Sequence, residues 1–515
     1  MDKWTRRAFL RASVGTGLAL SMGGAAGFLL SGVEAIGAEA GGSPNVLLIM
    51  TDTQRLDDMG AYGNPIIKTP HLDGLAEGGV KFTGCHTQCP ACMPARATIF
   101  TGRYPMAHGV WSNGVPLPET ETTLADIFAA AGYRTGGAGK FHFLPHWPYR
   151  KSDLPTMERH PKPFYGFQEF HLGEDGRSGE HHLWIKEHHP EYYDKPDDQL
   201  PAEVHNSGWT ARHTIDFITR CVREKTPFFA FCSFVDPHQP YNPPPPYGTL
   251  YDPEDMPDPI RRDDELESGR FRSIARSRNM TRHTERLKEQ RAKHYGEMTL
   301  IDACVGRLIG TLDALGVRSN TLVVFVADHG DMLGDHWLWW KGPYHYAGCT
   351  NVPLFFNWPG RIGAGRTIEG LVQQTDILPT ICELVGLETP LGVQGRSLAP
   401  ICRGDTDQTP YDYAYIESVS SGATSPDWQG PGPARPATDR RHTIDTFTIR
   451  NHKWRFTIFS GTDDGELYDL EKDPNEFDNR FHDPAYSSMR GTLMAVLLDR
   501  VGRTRDPLPA RTRPY

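Results

Sequence analysis

Three uninterrupted apolar runs, each halting at polar or charged residues, constrain this chain more than any other feature. Asn45 to Met50 stops at Thr51-Asp52. Phe228 to Val235, apolar but for Ser233, stops at Asp236-Pro237-His238, and Leu322 to Ala327 stops at Asp328-His329-Gly330. A strand with one wet face alternates apolar and polar residues, so an unbroken run belongs to a strand covered on both faces, as in parallel sheets. Between the runs, apolar residues recur at helical spacing: Leu124, Ile127, Phe128 and Ala131 before Gly132, and Met298, Ile301, Val305, Leu308, Ile309 and Leu312 before Gly316. Strands alternating with helices give an α/β sheet, and ligands of such sheets sit beyond the carboxyl ends of the strands. Asp52, His238, Asp328 and His329 are therefore expected to converge.

The remaining sequence divides around this unit. At about 100–200 residues per domain, the 515 residues allow two to four domains, and a core of that size needs no disulfide staples. The nine cysteines are an odd number, so at least one thiol is unpaired or modified. Thr5-Arg6-Arg7-Ala8-Phe9-Leu10 precedes a Gly-rich, weakly apolar stretch from Ser13 to Val33, and Ala38-Glu39-Ala40 offers small residues at a cleavage spacing. Residues 1–40 read as a twin-arginine export signal; a retained membrane anchor is the competing reading. Export to the periplasm or the cell exterior follows, with no stable membrane span once the signal is removed. The formal net charge of −10 disfavours a nucleic-acid partner.

Residues 236–260 are proline-rich and expected to form an extended, non-helical loop. Residues 270–293 carry nine Lys/Arg against Glu285 and Glu289, read as a solvated helix face rather than an anion-collecting rim. Ser418 to Arg441 marks a long loop or linker. Thr446–Ile449, Lys453–Phe459 and Glu466–Leu470 resemble short antiparallel strands before an apolar-periodic helix near Met489–Val501. The expected plan is a signal (1–40), a catalytic domain (41–410) and a small α+β tail (411–515). His181, His182, His188 and His189, with Trp184, Tyr192 and Tyr193, line a sugar or aryl pocket on one reading and a surface loop on the other.

The segment Cys85-His86-Thr87-Gln88-Cys89-Pro90-Ala91-Cys92-Met93-Pro94-Ala95-Arg96 holds three close cysteines. A zinc site lacks a second Cys/His pair at suitable spacing, and inert buried thiols are another reading. Pro94 suits the first turn of a helix, which puts residue 92 at the positive end of the helix dipole. Cys92-x-Pro94-x-Arg96, followed by Thr101-Gly102-Arg103, resembles the signature of type I sulfatases, in which the cysteine is oxidised to formylglycine. Cys89 lacks both the proline two residues on and the arginine four residues on.

The resemblance runs from about Asn45 to Leu467-Tyr468-Asp469-Leu470-Glu471-Lys472-Asp473-Pro474, with its elements in the family's order. Asp52 matches a metal-binding aspartate, and Gly139-Lys140-Phe141-His142 resembles the Gly-Lys-x-His element. Asp236-Pro237-His238-Gln239-Pro240 resembles the loop of a leaving-group histidine, Asp328-His329-Gly330-Asp331 the second metal-binding segment, and Lys341-Gly342 the sulfate-contacting lysine. The resemblance implies an alkaline-phosphatase-like fold: a large mixed, mostly parallel sheet sandwiched by helices, with a smaller C-terminal α+β domain on a short antiparallel sheet. It implies a sulfuric ester hydrolase acting on aryl or carbohydrate sulfates. Cys92, converted to 3-oxoalanine by a formylglycine-generating enzyme, would act with Arg96, Lys140, His142, His238 and Lys341, and one divalent ion would be held by Asp52, Cys92, Asp328 and His329.

Each residue has a plainer alternative: Asp52 or Asp328 as a helix cap, the lysines solvated, the histidines structural. Two departures from the family pattern bear on the ion and the substrate. Thr53 and His329 stand where many members carry a second aspartate and an asparagine. Ca2+ is the expected ion, while the imidazole of His329 admits Mn2+ or Zn2+. An Asp-His pair also occurs in phosphonate monoester hydrolases and choline sulfatases of the superfamily, so phosphonate monoester or phosphodiester hydrolysis is the alternative. A binding protein on this scaffold and a cysteine-nucleophile hydrolase are further rivals.

Overall fold

The computed structural model describes residues 42–145, 163–175, 178–268, 286–419 and 445–508. The export signal (1–40), residues 270–285 of the basic run and residues 420–441 of the expected linker lie outside the described residues.

Nine strands form the main sheet: β1 (Asn45–Thr51), β2 (Val80–His86), β3 (Arg134–Gly139), β4 (Glu169–Glu174), β5 (Ser178–Gly179), β6 (Phe228–Ser233), β7 (Thr321–Ala327), β8 (Leu354–Asn357) and β9 (Arg366–Gln373). Their order is β5-β4-β3-β6-β1-β7-β8-β2-β9. β1 lies parallel between β6 and β7, β3 runs parallel to β6, and β5 and β8 are antiparallel to their neighbours. The three apolar runs are thus the three central strands, and every residue of β1, β6 and β7 is buried.

The principal helices are α1 (Pro70–Glu77), α2 (Cys92–Thr101), α3 (Leu124–Ala130), α4 (Glu180–His188), α5 (Asn206–Arg223), α6 (Leu287–Ala314), α7 (Ile377–Val385) and α8 (Ser487–Arg503). Side chains alternate across a strand, and β1 shows the consequence. Val46, Leu48 and Met50 join a core with Ala97 and Phe100 of α2, Phe128 of α3 and Leu378 of α7. Leu47 and Ile49 join a second core with Leu72 of α1, Phe217 of α5 and Met298 and Val305 of α6. Helices therefore cover both faces, which is why these strands carry polar residues only at their ends, at Asn45, Thr51, Ser233 and Thr321. α3 starts where a capping box forms: the Thr123 hydroxyl accepts from Asp126 N–H and the Asp126 carboxylate accepts from Thr123 N–H.

The smaller C-terminal sheet has the order β10 (Ala414–Val419), β11 (Asp445–Arg450), β12 (Trp454–Phe459) and β13 (Gly465–Asp469), all antiparallel, with α8 packed on it. β11 to β13 are the three strands expected from the sequence. β10 is an addition: its Ala-Tyr-Ile-Glu-Ser-Val carries Glu417, buried because Tyr415 OH and the Met106 N–H donate to its carboxyl. Residues 236–260 form the expected loop, interrupted by single 3-10 turns at Tyr247–Thr249 and Pro253–Asp255. The histidine-rich stretch is helical rather than a loop: α4 buries His181 and His182, and Ile185 packs with Leu200 and Val204. Among the described residues no helix is long and apolar enough to cross a membrane.

Candidate active site and metal centre

The carboxyl ends of β3, β6, β1 and β7 lie side by side, and each delivers its polar successor to one place. β1 runs into Asp52, β7 into Asp328 and His329, β3 into Lys140, and β6 ends at Ser233. The turn after β3 requires glycine: Gly139 has φ +95°, and a Cβ there would lie 1.8 Å from the Ser233 carbonyl oxygen. Phe141 anchors the next step. Its ring packs 5.0 Å from Phe167 and 5.3 Å from Phe231, so Lys140 and His142 flank a residue locked in the core.

Cys92 is the first residue of α2, buried, with Pro94 in the first turn. Asn113 Oδ1 accepts from the Met93 N–H at 2.9 Å, satisfying one of the helix's open donors. Around the Cys92 Sγ stand Lys341 Nζ at 2.7 Å, His329 Nε2 at 3.3 Å, Asp52 Oδ1 at 3.7 Å and Lys140 Nζ at 3.8 Å. One turn along the helix, Arg96 donates to Asp328 Oδ2 at 2.9 Å, to Asp52 Oδ2 at 3.0 Å and to Ser233 Oγ at 2.9 Å, and also to the Lys140 carbonyl. The guanidinium thus fixes one oxygen of each aspartate and leaves the other facing Cys92 and His329.

Among the described residues, Asp52, Cys92, Asp328 and His329 form a buried group whose potential ligand atoms all lie within 4.8 Å of one another. His329 Nδ1 is 2.9 Å from the Gly330 carbonyl oxygen. A carbonyl accepts only, so Nδ1 carries the proton and Nε2 presents its lone pair to the cluster. Burial pushes the imidazole below its usual range, against the pull of Asp328, which keeps the ring neutral. Two carboxylates, a neutral imidazole and the residue 92 side chain are a donor set that fits a divalent cation.

Burial raises the Asp52 carboxyl, but Lys140, Lys341, His238 and Arg96 together outweigh it and hold it well below the usual carboxylate range. Lys140 is fully buried. Burial works against its charge, yet Asp175 and Asp52, both 2.6 Å from its Nζ, raise its pKa well above normal. Lys341 is raised likewise, by Cys92 and Asp52 against burial.

The other two expected residues sit at the margin. His238 is half-buried, its Nδ1 2.8 Å from the Gln239 carbonyl oxygen, and its charge contributes to lowering the Asp52 carboxyl. His142 is buried, with its N–H donating to Glu174 Oε1 at 3.1 Å. The four potential ligands and both lysines therefore meet at Cys92, while His142 follows Lys140 by two residues and His238 lies in the loop after β6. Sequence reasoning missed Asp175, which grips Lys140 after β4, and noted Thr53 only as a departure from the family pattern, whereas its N–H donates to Asp328 Oδ1 at 3.0 Å. Ser233 carried a signal, being the one polar residue in its run. Asp175 follows a strand too polar to stand out.

The sulfatase family profile matches residues 44–387. The chain belongs to the sulfatase family. It is an enzyme of the sulfatase and alkaline-phosphatase-like hydrolase superfamily, with a candidate metal cluster at Cys92. The arylsulfatase of Clostridium perfringens (strain 13 / Type A) is 31% identical over 482 residues, covering 88% of this chain and 94% of that protein. The multifunctional alkaline phosphatase superfamily protein PehA of Trinickia caryophylli is 30% identical over 494 residues, covering 86% and 92%. Among solved structures, the phosphonate monoester hydrolase of Agrobacterium radiobacter superposes with a TM-score of 0.77 at 27% identity, covering 91% of this sulfatase-family chain and 98% of that one.

Proposed function

We propose that this enzyme hydrolyses sulfate esters of aryl or carbohydrate alcohols at residue 92. The observation that carries the reading is the convergence on one helix-terminal side chain of Lys341, Lys140 and three further metal-type donors. A divalent ion on Asp52, Asp328, His329 and residue 92 would supply Lewis acidity, and Cys92 oxidised to formylglycine would supply, as its hydrate, two hydroxyls on one carbon. Two carboxylates favour Ca2+, and the imidazole admits Mn2+ or Zn2+.

The chain's own residues then have distinct tasks. The Cys92 Sγ stands in for the hydrate oxygens, so Lys341 and Lys140 are placed to neutralise the non-bridging oxygens of the ester. Arg96 restrains both aspartates and keeps their free oxygens aimed inward. One hydroxyl would bond to sulfur as the bond from sulfur to the alcohol oxygen breaks, with His238 giving that departing oxygen a proton. His142 would then take the proton of the second hydroxyl as the carbon–oxygen bond to sulfate breaks and the aldehyde returns, without water attacking sulfur. Oxidation of Cys92 requires a formylglycine-generating enzyme as partner, and the twin-arginine signal would carry the folded product to the periplasm or the exterior.

The test is relative turnover of 4-nitrophenyl sulfate and an aryl phosphonate monoester by protein co-expressed with that partner. A preference for the sulfate is expected. A large preference for the phosphonate would favour the second reading, phosphonate monoester or phosphodiester hydrolysis, which the Asp328-His329 pair and the likeness to a phosphonate monoester hydrolase support.

A further inference from the structure

A cavity of about 280 Å³ adjoins the site, with Lys341 in its wall. The same lysine lies 2.7 Å from Cys92 Sγ, and Ala91, the residue before Cys92, is also in the wall, so the cavity borders the site at these two residues. Five separate stretches build it, with Cys89–Ala91 before α2 and Gln239 after β6 completing the wall. Trp111 and Asn113 come from the loop after α2, Trp340 and Lys341 from the segment after β7, and Val419 from the end of β10 in the C-terminal sheet.

Two properties of this lining restrict the occupant. First, Lys341 is the one charged side chain among the described lining residues, and the ester itself engages it. Among the described residues a polysulfated or polyuronate chain finds no second cation in this lining, and burying its extra charges unpaired is costly. Second, the large surfaces are two indole rings, whose flat faces favour a ring over a flexible chain. For scale, a closed cavity of about 150 Å³ holds one benzene, so this space of about 280 Å³, which opens to solvent, has room for one substituted ring.

Building on the sulfatase reading above, we propose that this cavity is the leaving-group subsite and that it accepts a single uncharged six-membered ring against Trp111 and Trp340. Both an aryl ring and the apolar face of a pyranose meet that description. The two tryptophans are specificity-determining residues: they contribute to holding the ring and take no part in proton transfer.

The experiment has a binding arm and a kinetic arm. Calorimetric titration of the unmodified Cys92 protein with phenol, methyl glucopyranoside, butanol and a disulfated disaccharide separates the sources of the ring from each other and from chains and polyanions. At least one neutral ring is expected to bind, and Trp111→Ala to weaken it about tenfold, in line with the loss of one aromatic contact. In the kinetic arm, Trp111→Ala is expected to lower kcat/KM for a ring ester about tenfold more than for an alkyl ester of the same acid, largely through KM. Trp340→Phe, which retains a ring beside Lys341, is expected to keep most of that selectivity. Tighter binding of the disulfated disaccharide than of either neutral ring, or equal losses for ring and alkyl esters, would overturn the assignment. If neutral rings bind and Trp111→Ala weakens them while no sulfate ester turns over, the sulfatase reading fails and the subsite stands.

Discussion

Arg96 and Arg455 are both fully buried, and each faces two carboxylates, yet they serve opposite ends. Arg96 meets Asp52 and Asp328 at 3.0 and 2.9 Å; Arg455 meets Glu466 and Glu476 at 2.7 and 2.8 Å. In both, burial works against the guanidinium charge and the carboxylates more than restore it. The surroundings differ. The Tyr346 and Tyr468 rings stand 4.5 Å from Arg455, and Arg450 takes up Glu476 as well. Around Arg96, each aspartate keeps an oxygen turned toward Cys92 or His329. A buried ion pair becomes a reactive centre when its carboxylates retain oxygens aimed at a shared point, and a structural clamp when rings cover the guanidinium and a further cation takes up a carboxylate.

The largest effect expected from this contrast is at residue 92. Cys92→Ala should lower kcat/KM by about 10^5-fold, the scale of removing a nucleophile, while thermal unfolding of the protein stays close to the parent. Asp328→Asn should come next, with turnover falling by about 10^3-fold and bound divalent metal, measured by elemental analysis, dropping in parallel. Arg455→Met should reverse the pattern. It leaves Glu466 and Glu476 buried without their partner, at a cost of about 3–5 kcal/mol in unfolding free energy by denaturant titration, with metal content unchanged. A variant in which Arg455→Met stabilises the protein would break the comparison.

The smallest effect concerns pH. Burial raises the Glu417 carboxyl to about 7, against the Tyr415 hydroxyl. A folded-state pKa above the unfolded one means that its contribution to stability is complete below the ordinary carboxylate range. That contribution is lost as pH climbs toward 7. Glu417→Gln removes the titration, so its Tm relative to the parent should rise between pH 5 and pH 8. His86, His108 and His345, each pushed down to about 3 by burial, act in the opposite direction: their contribution is present above the ordinary imidazole pKa and is lost on acidification. Their slope should persist unchanged in Glu417→Gln.

Much of the architecture was legible because the central strands are covered on both faces and so carry polar residues only at their ends. The polar residues that follow them mark the site for the same reason: Asp52, Asp328 and His329 are where β1 and β7 leave the core. The edges were harder to read. β4 is half-exposed and mixed in composition, so Asp175 after it gave no signal, and β10 buries a glutamate that only tertiary partners make tolerable. Trp111 and Trp340 are far apart in sequence, and periodicity carries no information on a wall assembled from five separate stretches. α4 was ambiguous because its apolar content is a short stripe, with Ile185 finding Leu200 and Val204 after a turn.

The most direct test is turnover measured against the fraction of residue 92 carried as aldehyde, with that fraction read by peptide mass spectrometry across preparations made with graded amounts of the modifying enzyme. Turnover should rise in proportion to aldehyde and vanish with it, and metal removal should abolish it in every preparation. Full activity in protein whose residue 92 is entirely thiol would contradict the assignment of this helix terminus as the oxidised nucleophile.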